Sequence, residues 1–185
     1  MSSGVPMIGI AGYKNAGKTT LAVRLIEELT YRHFAVSTIK HAHHSADIDQ
    51  PGTDSYRHRQ SGANEVALIT PERVAIMRET RDAPKPNLFE VAARLAPADV
   101  IIVEGFRSEK FPKIEVRRKA GPEYIRNPRN ADAPKCPHQF QGVVAIASDT
   151  EIPESKVPVL PLDDISAIVE FIIELFELEI SDASA

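Results

Sequence analysis

The stretch Gly12-Tyr-Lys-Asn-Ala-Gly-Lys-Thr19 decides the fold, because it matches the phosphate-binding pattern G-x-x-x-x-G-K-[ST]. Residues 7–11 before it form a short apolar run that predicts a buried strand. After it, Leu21, Leu25 and Leu29 recur every fourth residue, which predicts a helix with one buried stripe. Between a strand and a helix, the glycines let backbone N–H groups point at a phosphate, and the helix N-terminus adds partial positive charge. The stretch therefore predicts a site for a nucleoside triphosphate with Mg²⁺.

The apolar runs that follow predict a mostly parallel sheet. Residues 35–39 predict a second strand, which completes a strand–helix–strand unit. Residues 99–103 are apolar on both faces, as expected of a strand in the middle of a covered sheet. Further elements are predicted as strands at residues 113–117, with one face solvated, at 142–147 and, as a short edge strand, at 157–160, and as an amphipathic helix at 163–178.

Two β-rich runs predict an added hairpin. Residues 65–70 and 73–78 are separated by Pro71-Glu72, which suits a turn between paired strands. Short helices are predicted at residues 54–61 and 87–95. Since no repeat or linker divides the chain, we expect an α/β protein with the three-layer P-loop NTPase fold, as a single domain over residues 1–180 with a frayed tail at 181–185.

Composition and charge exclude several classes of partner. Hydrophobic residues make up 43% and charged residues 26% of the chain, as in ordinary globular proteins. The formal net charge of -4 provides no overall field that attracts nucleic acid or an anionic membrane. No stretch approaches the ~20 apolar residues that cross a bilayer, and no secretory signal is visible. Because Cys136 is the single cysteine and cannot form an intramolecular disulfide, we expect a cytoplasmic protein.

The P-loop (residues 12–19) supplies most of the predicted nucleotide contacts. Lys18 is expected to reach the β- and γ-phosphates and to act in catalysis, and the Thr19 hydroxyl is expected to ligate Mg²⁺. Lys14, a second lysine in the loop, is expected to remain solvated. The predicted nucleotide-binding residues of this stretch are Gly12, Asn15, Ala16, Gly17, Lys18, Thr19 and Thr20.

Polar residues that follow the other strands are predicted to complete the nucleotide site, because ligands of open α/β sheets bind at the carboxyl ends of strands. Glu104 ends an apolar strand, where a P-loop NTPase needs an acidic group for Mg²⁺; a solvated strand terminus is the alternative. Lys40 or one of the histidines within residues 41–44 is placed to contact phosphate, and Asp47 and Asp49 to hold Mg²⁺ or orient the attacking water. Asp149 is placed to accept hydrogen bonds from N1 and the N2 amino group of guanine; a solvated turn residue is the alternative, and the chain has no Asn-Lys-x-Asp signature.

Two other functions remain open at this point. His41, His43 and His44 suit a transition metal, which would make the chain a metal-delivery GTPase, although three histidines within four residues give poor tetrahedral geometry. Asp47 or Asp49 as a general base would suit a P-loop small-molecule kinase. Arginines that such a kinase would use lie around a long proline-bearing loop at residues 121–141, and they are Arg117, Arg118, Arg126 and Arg129.

Four strings resemble one family closely: Thr38-Ile-Lys-His-Ala-His-His44, Asp47-Ile-Asp-Gln-Pro-Gly-Thr-Asp-Ser-Tyr56, Ser61-Gly-Ala63 and Val103-Glu-Gly-Phe106. With the P-loop, they are similar to the molybdopterin-guanine dinucleotide biosynthesis adaptor proteins, the MobB family, over about residues 8–149. The resemblance implies a GTP-binding protein with at most weak GTPase activity, homodimeric through paired strands. Such a protein assists the guanylyltransferase that joins GMP to molybdopterin in molybdenum cofactor biosynthesis.

The resemblance also implies roles for individual residues. Lys18 and Thr19 carry over as phosphate and Mg²⁺ residues, and Asp49 and Glu104 as candidate residues on the metal side, so that Lys18 and Asp49 become the catalytic candidates. Asp149 matches a family position. The implied cofactors are GTP and Mg²⁺. The implied partners are the molybdenum cofactor guanylyltransferase, molybdopterin or a molybdoenzyme apoprotein, and a second copy of the chain.

Overall fold

The larger sheet in the described residues has six strands; these residues are 4–42, 48–81, 83–119 and 140–180 of this computed structural model. The strands in chain order are β1 (Met7–Ala11), β2 (Val36–Lys40), β3 (Glu65–Ile69), β4 (Val74–Arg78), β5 (Val100–Glu104), β6 (Lys113–Arg117), β7 (Val143–Ser148) and β8 (Val159–Pro161). The central sheet has the order β2-β5-β1-β6-β7-β8, and every pairing between its neighbours is parallel. This order places the P-loop, which follows β1, between the exits of β5 and β6.

Helices cover both faces of this sheet. They are α1 (Lys18–Tyr31), α3 (Leu88–Ala92) and α4 (Ile165–Phe176), whereas α2 (Asp54–Gln60) belongs to the hairpin unit described below. Leu25 of α1 and Ile168 of α4 pack with Ile10 in a core on one face of the sheet. Leu88 of α3 packs with Val103 on the other face. The predicted three-layer α/β fold with a mostly parallel sheet is therefore confirmed.

The predicted solvated face of β6 is wrong, because every residue of this strand is buried. Lys113, Glu115 and Arg117 alternate along one face and are 0%, 2% and 7% exposed. The strand is internal to the sheet, between β1 and β7, and the side chains on both of its faces are buried. Arg117 donates to Glu115 at 2.9 Å, which lets the two charges remain buried. Polar alternation in a strand thus marked an internal ion pair here, and not a surface.

The Lys113 ammonium ties the start of β6 to two neighbouring segments. It donates to the carbonyl oxygens of Glu109 and, at 2.8 Å, of Gln141, and it lies 4.1 Å from the centre of the Phe111 ring. Burial lowers the pKa of Lys113, and the nearby Glu109 carboxylate partly offsets this shift. The carbonyl oxygens replace the hydration that the ammonium loses, so the contact fixes the amino end of β6, opposite the phosphate edge.

Several element boundaries differ from the prediction. Helix α3 ends at Ala92 instead of continuing to residue 95, because the amides of Arg94 and Leu95 bond to carbonyls only three residues earlier, with Leu95 N bonded to Ala92 O at 3.2 Å. Pro97 follows closely and cannot continue a helix. Strand β8 begins two residues later than predicted, at Val159. Residues 120–139 of the long loop and the tail at 181–185 lie outside the described residues.

The chain divides into two compact units, Met1–His41 with Leu88–Ala185, and Ala42–Asn87. The first contains the central sheet. The second contains α2 and the antiparallel β3–β4 hairpin, in which Ala67 faces Ile76 and Ile69 faces Val74. The hairpin confirms the predicted pairing of residues 65–70 with 73–78. The prediction of a single domain over residues 1–180 stays a prediction.

Candidate functional site

The P-loop curls back on itself at the start of α1. Gly17 has a positive φ of 95°, and Leu21 N donates to its carbonyl at 2.9 Å, which opens the helix. Because glycine has no side chain, it leaves the first N–H groups of the helix open to a ligand. Lys18 Nζ donates to Tyr13 O at 2.6 Å, and Ala16 N donates to the same carbonyl at 3.2 Å. The predicted loop residues therefore lie in one continuous cradle.

Thr19 and Glu104 meet at the edge of this cradle. Because β5 pairs with both β1 and β2, its last residue Glu104 lies beside Ile10 and Lys40 in register. Thr19 Oγ1 donates to both Glu104 oxygens, at 2.9 and 3.1 Å. Lys40 Nζ lies 3.3 Å from Glu104 Oε2. The structure thus brings together three residues that the sequence predicted separately.

This group suits Mg²⁺ by its chemistry. Mg²⁺ prefers oxygen ligands and is commonly held by one or two protein oxygens together with nucleotide phosphates and water. The Thr19 hydroxyl and the Glu104 carboxylate already lie within hydrogen-bonding distance of each other, so a small hard cation can be shared between them. Lys40 now supplies the positive charge beside Glu104.

The residues that follow β5 also pack against the residue that follows β2. Gly105 has a positive φ of 110°, and a Cβ there would lie 2.7 Å from the Cβ of His41, so only glycine fits. The His41 ring stacks on Phe106 with centroids 4.8 Å apart, and His41 N donates to Glu104 O at 2.8 Å. His41 thereby helps to position Glu104.

The described residues provide no support for the metal-delivery alternative. Within them no three His, Cys, Asp or Glu residues are grouped as a metal site. His43 and His44, with Asp47, lie outside the described residues.

Asp149 lines a pocket formed by residues at the carboxyl ends of β7 and β8. The pocket has a volume of about 640 Å³, and Ile152, Pro153 and Leu160 contribute to its largely apolar lining. Asp149 Oδ1 accepts a hydrogen bond from Lys119 N at 2.8 Å. A carboxylate has room for further hydrogen bonds. Glu151 and Asp163 also contribute to the lining. A largely apolar pocket with carboxylates in its lining suits a flat heterocyclic base that carries hydrogen-bond donors.

Two arginines that the sequence interpretation did not place at the P-loop contact its backbone. Arg107 Nη2 lies 3.4 Å from Gly12 O, and Arg118 Nε donates to Ala16 O at 3.2 Å. Each follows a strand that neighbours β1, which is the signal that would have found them. Arg118 entered the sequence interpretation only with the kinase alternative, and Arg107 did not enter it.

Asp49 lies in the second unit and is bonded within it. Its side chain is 7% exposed, and it accepts hydrogen bonds from Ser55 Oγ at 2.9 Å and Arg59 Nε at 3.2 Å, as well as from Thr53 and the Gln50 amide. Burial by itself raises the pKa of Asp49, but these hydrogen bonds outweigh it, so the net effect is a lowered pKa. The predicted metal and catalytic roles of Asp49 stay predictions.

With this geometry established, the comparisons with known proteins decide the family. The sequence matches MobB, molybdopterin guanine dinucleotide synthesis protein B, over residues 7–149. The chain belongs to the MobB family. A relative from Escherichia coli (strain K12), named molybdopterin-guanine dinucleotide biosynthesis adapter protein, is 33% identical over 175 residues, or 92% of this chain and 93% of the relative. The protein of the same name from Haemophilus influenzae is 43% identical over 122 residues, or 64% of this chain and 67% of the relative.

Solved structures agree with this assignment. A crystal structure of molybdopterin-guanine biosynthesis protein B (mobB) is similar with a TM-score of 0.66 and 25% identity, and it covers 91% of this chain and 99% of its own. Bacillus subtilis MobB has the same fold, with a TM-score of 0.68 at 19% identity over 94% of this chain and 98% of the Bacillus subtilis chain.

Among the helices of the described residues, none combines the length and hydrophobicity that crossing a bilayer requires.

Substitution of Asp49 tests its part in the second unit. Asp49→Asn keeps the shape but removes the charge that Arg59 contacts, so we expect the melting temperature at pH 7 to fall by at least about 2 °C. Because the pKa of Asp49 is lowered in the folded state, its contribution is present above the unfolded value near ~4 and is lost as pH falls through the lower folded value. The difference between variant and wild type, measured by circular dichroism, should therefore shrink below about pH 4.

Asp54→Asn is the matched control. Asp54 is 89% exposed and lies 3.6 Å from Arg57, so its loss should change the melting temperature little. Equal effects of the two substitutions at every pH would contradict a structural role for Asp49.

Proposed function

We propose that this chain is a GTP-binding adaptor that assists attachment of GMP to molybdopterin in molybdenum cofactor biosynthesis. The observation that carries the proposal is the contact of Thr19 with Glu104 at the edge of a P-loop, in a chain of the MobB family. The relatives named adapter proteins support the role. The single cysteine, Cys136, supports a cytoplasmic location.

Phosphate binding follows from the P-loop. The backbone N–H groups of residues 12–19 and the N-terminus of α1 face the phosphates, and Lys18 exchanges its contact with Tyr13 O for the β- and γ-phosphate oxygens. Thr19 and Glu104 would hold Mg²⁺, which neutralises charge on those phosphates when bound. Lys40 is then available to the phosphate.

Guanine binding is proposed for the pocket at β7 and β8. Guanine presents N1–H and the N2 amino group as neighbouring donors, and the Asp149 carboxylate offers acceptors for both. Adenine has no such pair of donors, so the carboxylate favours GTP over ATP. The apolar side chains of the pocket, such as Leu160 and Ile152, would pack against the two faces of the base.

Hydrolysis is proposed to be weak at most. Lys18 is the group expected to stabilise charge on the transferred phosphoryl group, and Asp49 is the candidate for orienting the attacking water. The proposed partners are the molybdenum cofactor guanylyltransferase and either molybdopterin or a molybdoenzyme apoprotein. An adaptor needs nucleotide-dependent affinity for its partner more than it needs fast turnover.

Calorimetric titration with GTP tests the nucleotide site. Lys18→Ala should abolish binding of GTP with Mg²⁺, because the phosphates lose their main counter-charge, whereas exposed Lys14→Ala should change the affinity less than about threefold. Removal of Mg²⁺ with a chelator should weaken binding to the wild type. Tight binding of ATP with no response to GTP would contradict the guanine assignment.

The same pair of variants tests the adaptor role. Wild-type and Lys14→Ala protein should retain a molybdenum cofactor guanylyltransferase from cell extract when GTP is present, and Lys18→Ala protein should not. Retention of hydrogenase or urease maturation factors instead would favour metal delivery.

A homodimer is proposed through the β3–β4 hairpin. Ile69, Val74 and Ile76 share one face of the hairpin and are 74%, 64% and 64% exposed. A two-stranded hairpin is marginal alone, and both of its strands are edges within its own sheet. A second copy about a two-fold axis presents the same apolar face and the same unpaired strand edge. Pairing of the two copies would therefore bury the exposed apolar side chains and give the strand edge a hydrogen-bonding partner.

Light scattering coupled to size exclusion tests this dimer. Ile76→Glu places a charge in the proposed apolar interface, so we expect a shift from dimer to monomer with unchanged circular dichroism. Val23→Glu, at a 46% exposed position on α1, should leave the dimer intact. A wild-type chain that stays monomeric up to about 100 μM would refute the proposal.

A further inference from the structure

We propose that Arg107 and Arg118 clamp the bound nucleotide from opposite sides of the P-loop, with Arg107 on the γ-phosphate and Arg118 on the α- and β-phosphates. This inference rests on the proposed function, since it concerns the same nucleotide site. It adds a means by which the chain distinguishes a triphosphate from a diphosphate.

The first observation is where the two guanidinium groups lie. Arg107 Nη2 approaches Gly12 O at 3.4 Å, and Arg118 Nε donates to Ala16 O at 3.2 Å. These carbonyls belong to the first residue of the P-loop and to the residue before its second glycine. Arg118 is so close that a Cβ on Gly17 would lie 3.1 Å from its Nε and 3.2 Å from its Nη2. Both arginines therefore touch the cradle itself.

The second observation is their charge. Within the ranges that the structure describes, no carboxylate forms an ion pair with Arg107 or Arg118. Each guanidinium has five N–H donors, and one carbonyl contact uses only a fraction of them. Two cations beside a loop that already holds Lys18 repel each other unless an anion lies between them. A triphosphate supplies that anion.

Packing holds Arg107 in place before the nucleotide binds. Its guanidinium lies 5.8 Å from the centre of the Phe140 ring, and Phe140 is 6% exposed. Phe140 in turn makes an edge contact with Tyr13 of the P-loop, with centroids 6.1 Å apart. An arginine stacked on a buried ring loses less conformational freedom when it binds phosphate.

The strand order assigns each arginine to a different part of the nucleotide. Arg107 follows β5 together with Glu104, and this is the side where Thr19 would share Mg²⁺ between the β- and γ-phosphates. Arg118 follows β6, on the opposite side of β1.

The base lies on the side of Arg118. The next residue, Lys119, donates its N–H to Asp149 at the pocket proposed for guanine. The nucleotide would therefore extend from Arg107 at its γ-phosphate, past Arg118, to its base at Asp149.

Titrations with GTP, GDP and guanosine separate the two roles. Arg107→Ala should weaken GTP at least about tenfold and leave GDP unchanged, so that the ratio of the two dissociation constants changes. Arg118→Ala should weaken GTP and GDP by the same factor, again about tenfold or more, and leave guanosine unchanged. Exposed Arg94→Ala is the control and should change none of the three. Arg107→Lys should recover only part of the lost GTP affinity, because a lysine cannot form a bidentate contact with phosphate.

The outcomes that overturn the clamp differ from those that overturn the proposed function. An unchanged ratio of GTP to GDP affinity in Arg107→Ala refutes the role of Arg107, and loss of guanosine affinity in Arg118→Ala refutes that of Arg118. A merely structural role would lower the melting temperature of the nucleotide-free variants without changing the ratio. If the wild type binds ATP and not GTP, the guanine assignment fails, while ATP, ADP and adenosine test the clamp in the same way. A wild-type chain that binds no nucleotide overturns both.

Discussion

The hydrogen bond from Thr19 to Glu104 is the contact on which the site depends. It joins the first turn of α1 to the end of β5, two elements that are 85 positions apart in the sequence. It forms because β5 lies between β1 and β2, so that the helix after β1 starts beside the last residue of β5. The buried aliphatic faces of β1 and β5 set this register, and Gly105 and His41 fix the backbone just beyond it. Core packing on both faces of the sheet therefore determines where the hydroxyl and the carboxylate meet.

Charge explains why this edge of the sheet suits a polyphosphate although the chain is acidic as a whole. Lys18, Lys40, Arg107 and Arg118 surround the P-loop in the described part of the chain, while Glu104 is the carboxylate that contacts Thr19 within it. The net charge of -4 belongs to the whole chain, whereas the charged side chains named here at the loop are four cations and one carboxylate. The exits of β5 and β6 supply the two arginines on opposite sides, and the exits of β7 and β8 supply an apolar pocket with Asp149. Successive strands of one parallel sheet thus place the P-loop, the two arginines and the Asp149 pocket along the same edge of the sheet.

The sequence predicted what depends on local pattern. The P-loop, the helix after it and the acidic end of β5 follow from a motif with its flanking periodicity, and all three lie where they were expected. The prediction failed for β6, because Lys113, Glu115 and Arg117 have the alternation of a half-solvated strand but are buried. Their burial depends on the pairing of Arg117 with Glu115 and on the carbonyl contacts of Lys113, which the local pattern does not show. It also missed Arg107 and Arg118, since their contacts with Gly12 and Ala16 join segments about a hundred residues apart. For Asp49 the sequence showed a carboxylate but not the hydrogen bonds from Ser55 and Arg59.

The claim that most needs a direct measurement is that one guanine nucleotide spans this edge, from the P-loop to Asp149. Asp149→Asn keeps one oxygen that can accept the hydrogen bond from Lys119 N, but it replaces the other carboxylate oxygen with an amino group, which is a donor. Xanthine has an acceptor where guanine has its N2 amino group, so calorimetry of this variant with GTP and XTP reports which group faces residue 149. If Asp149 binds guanine, GTP affinity falls at least about tenfold while XTP affinity rises. Unchanged affinities for both nucleotides would contradict it.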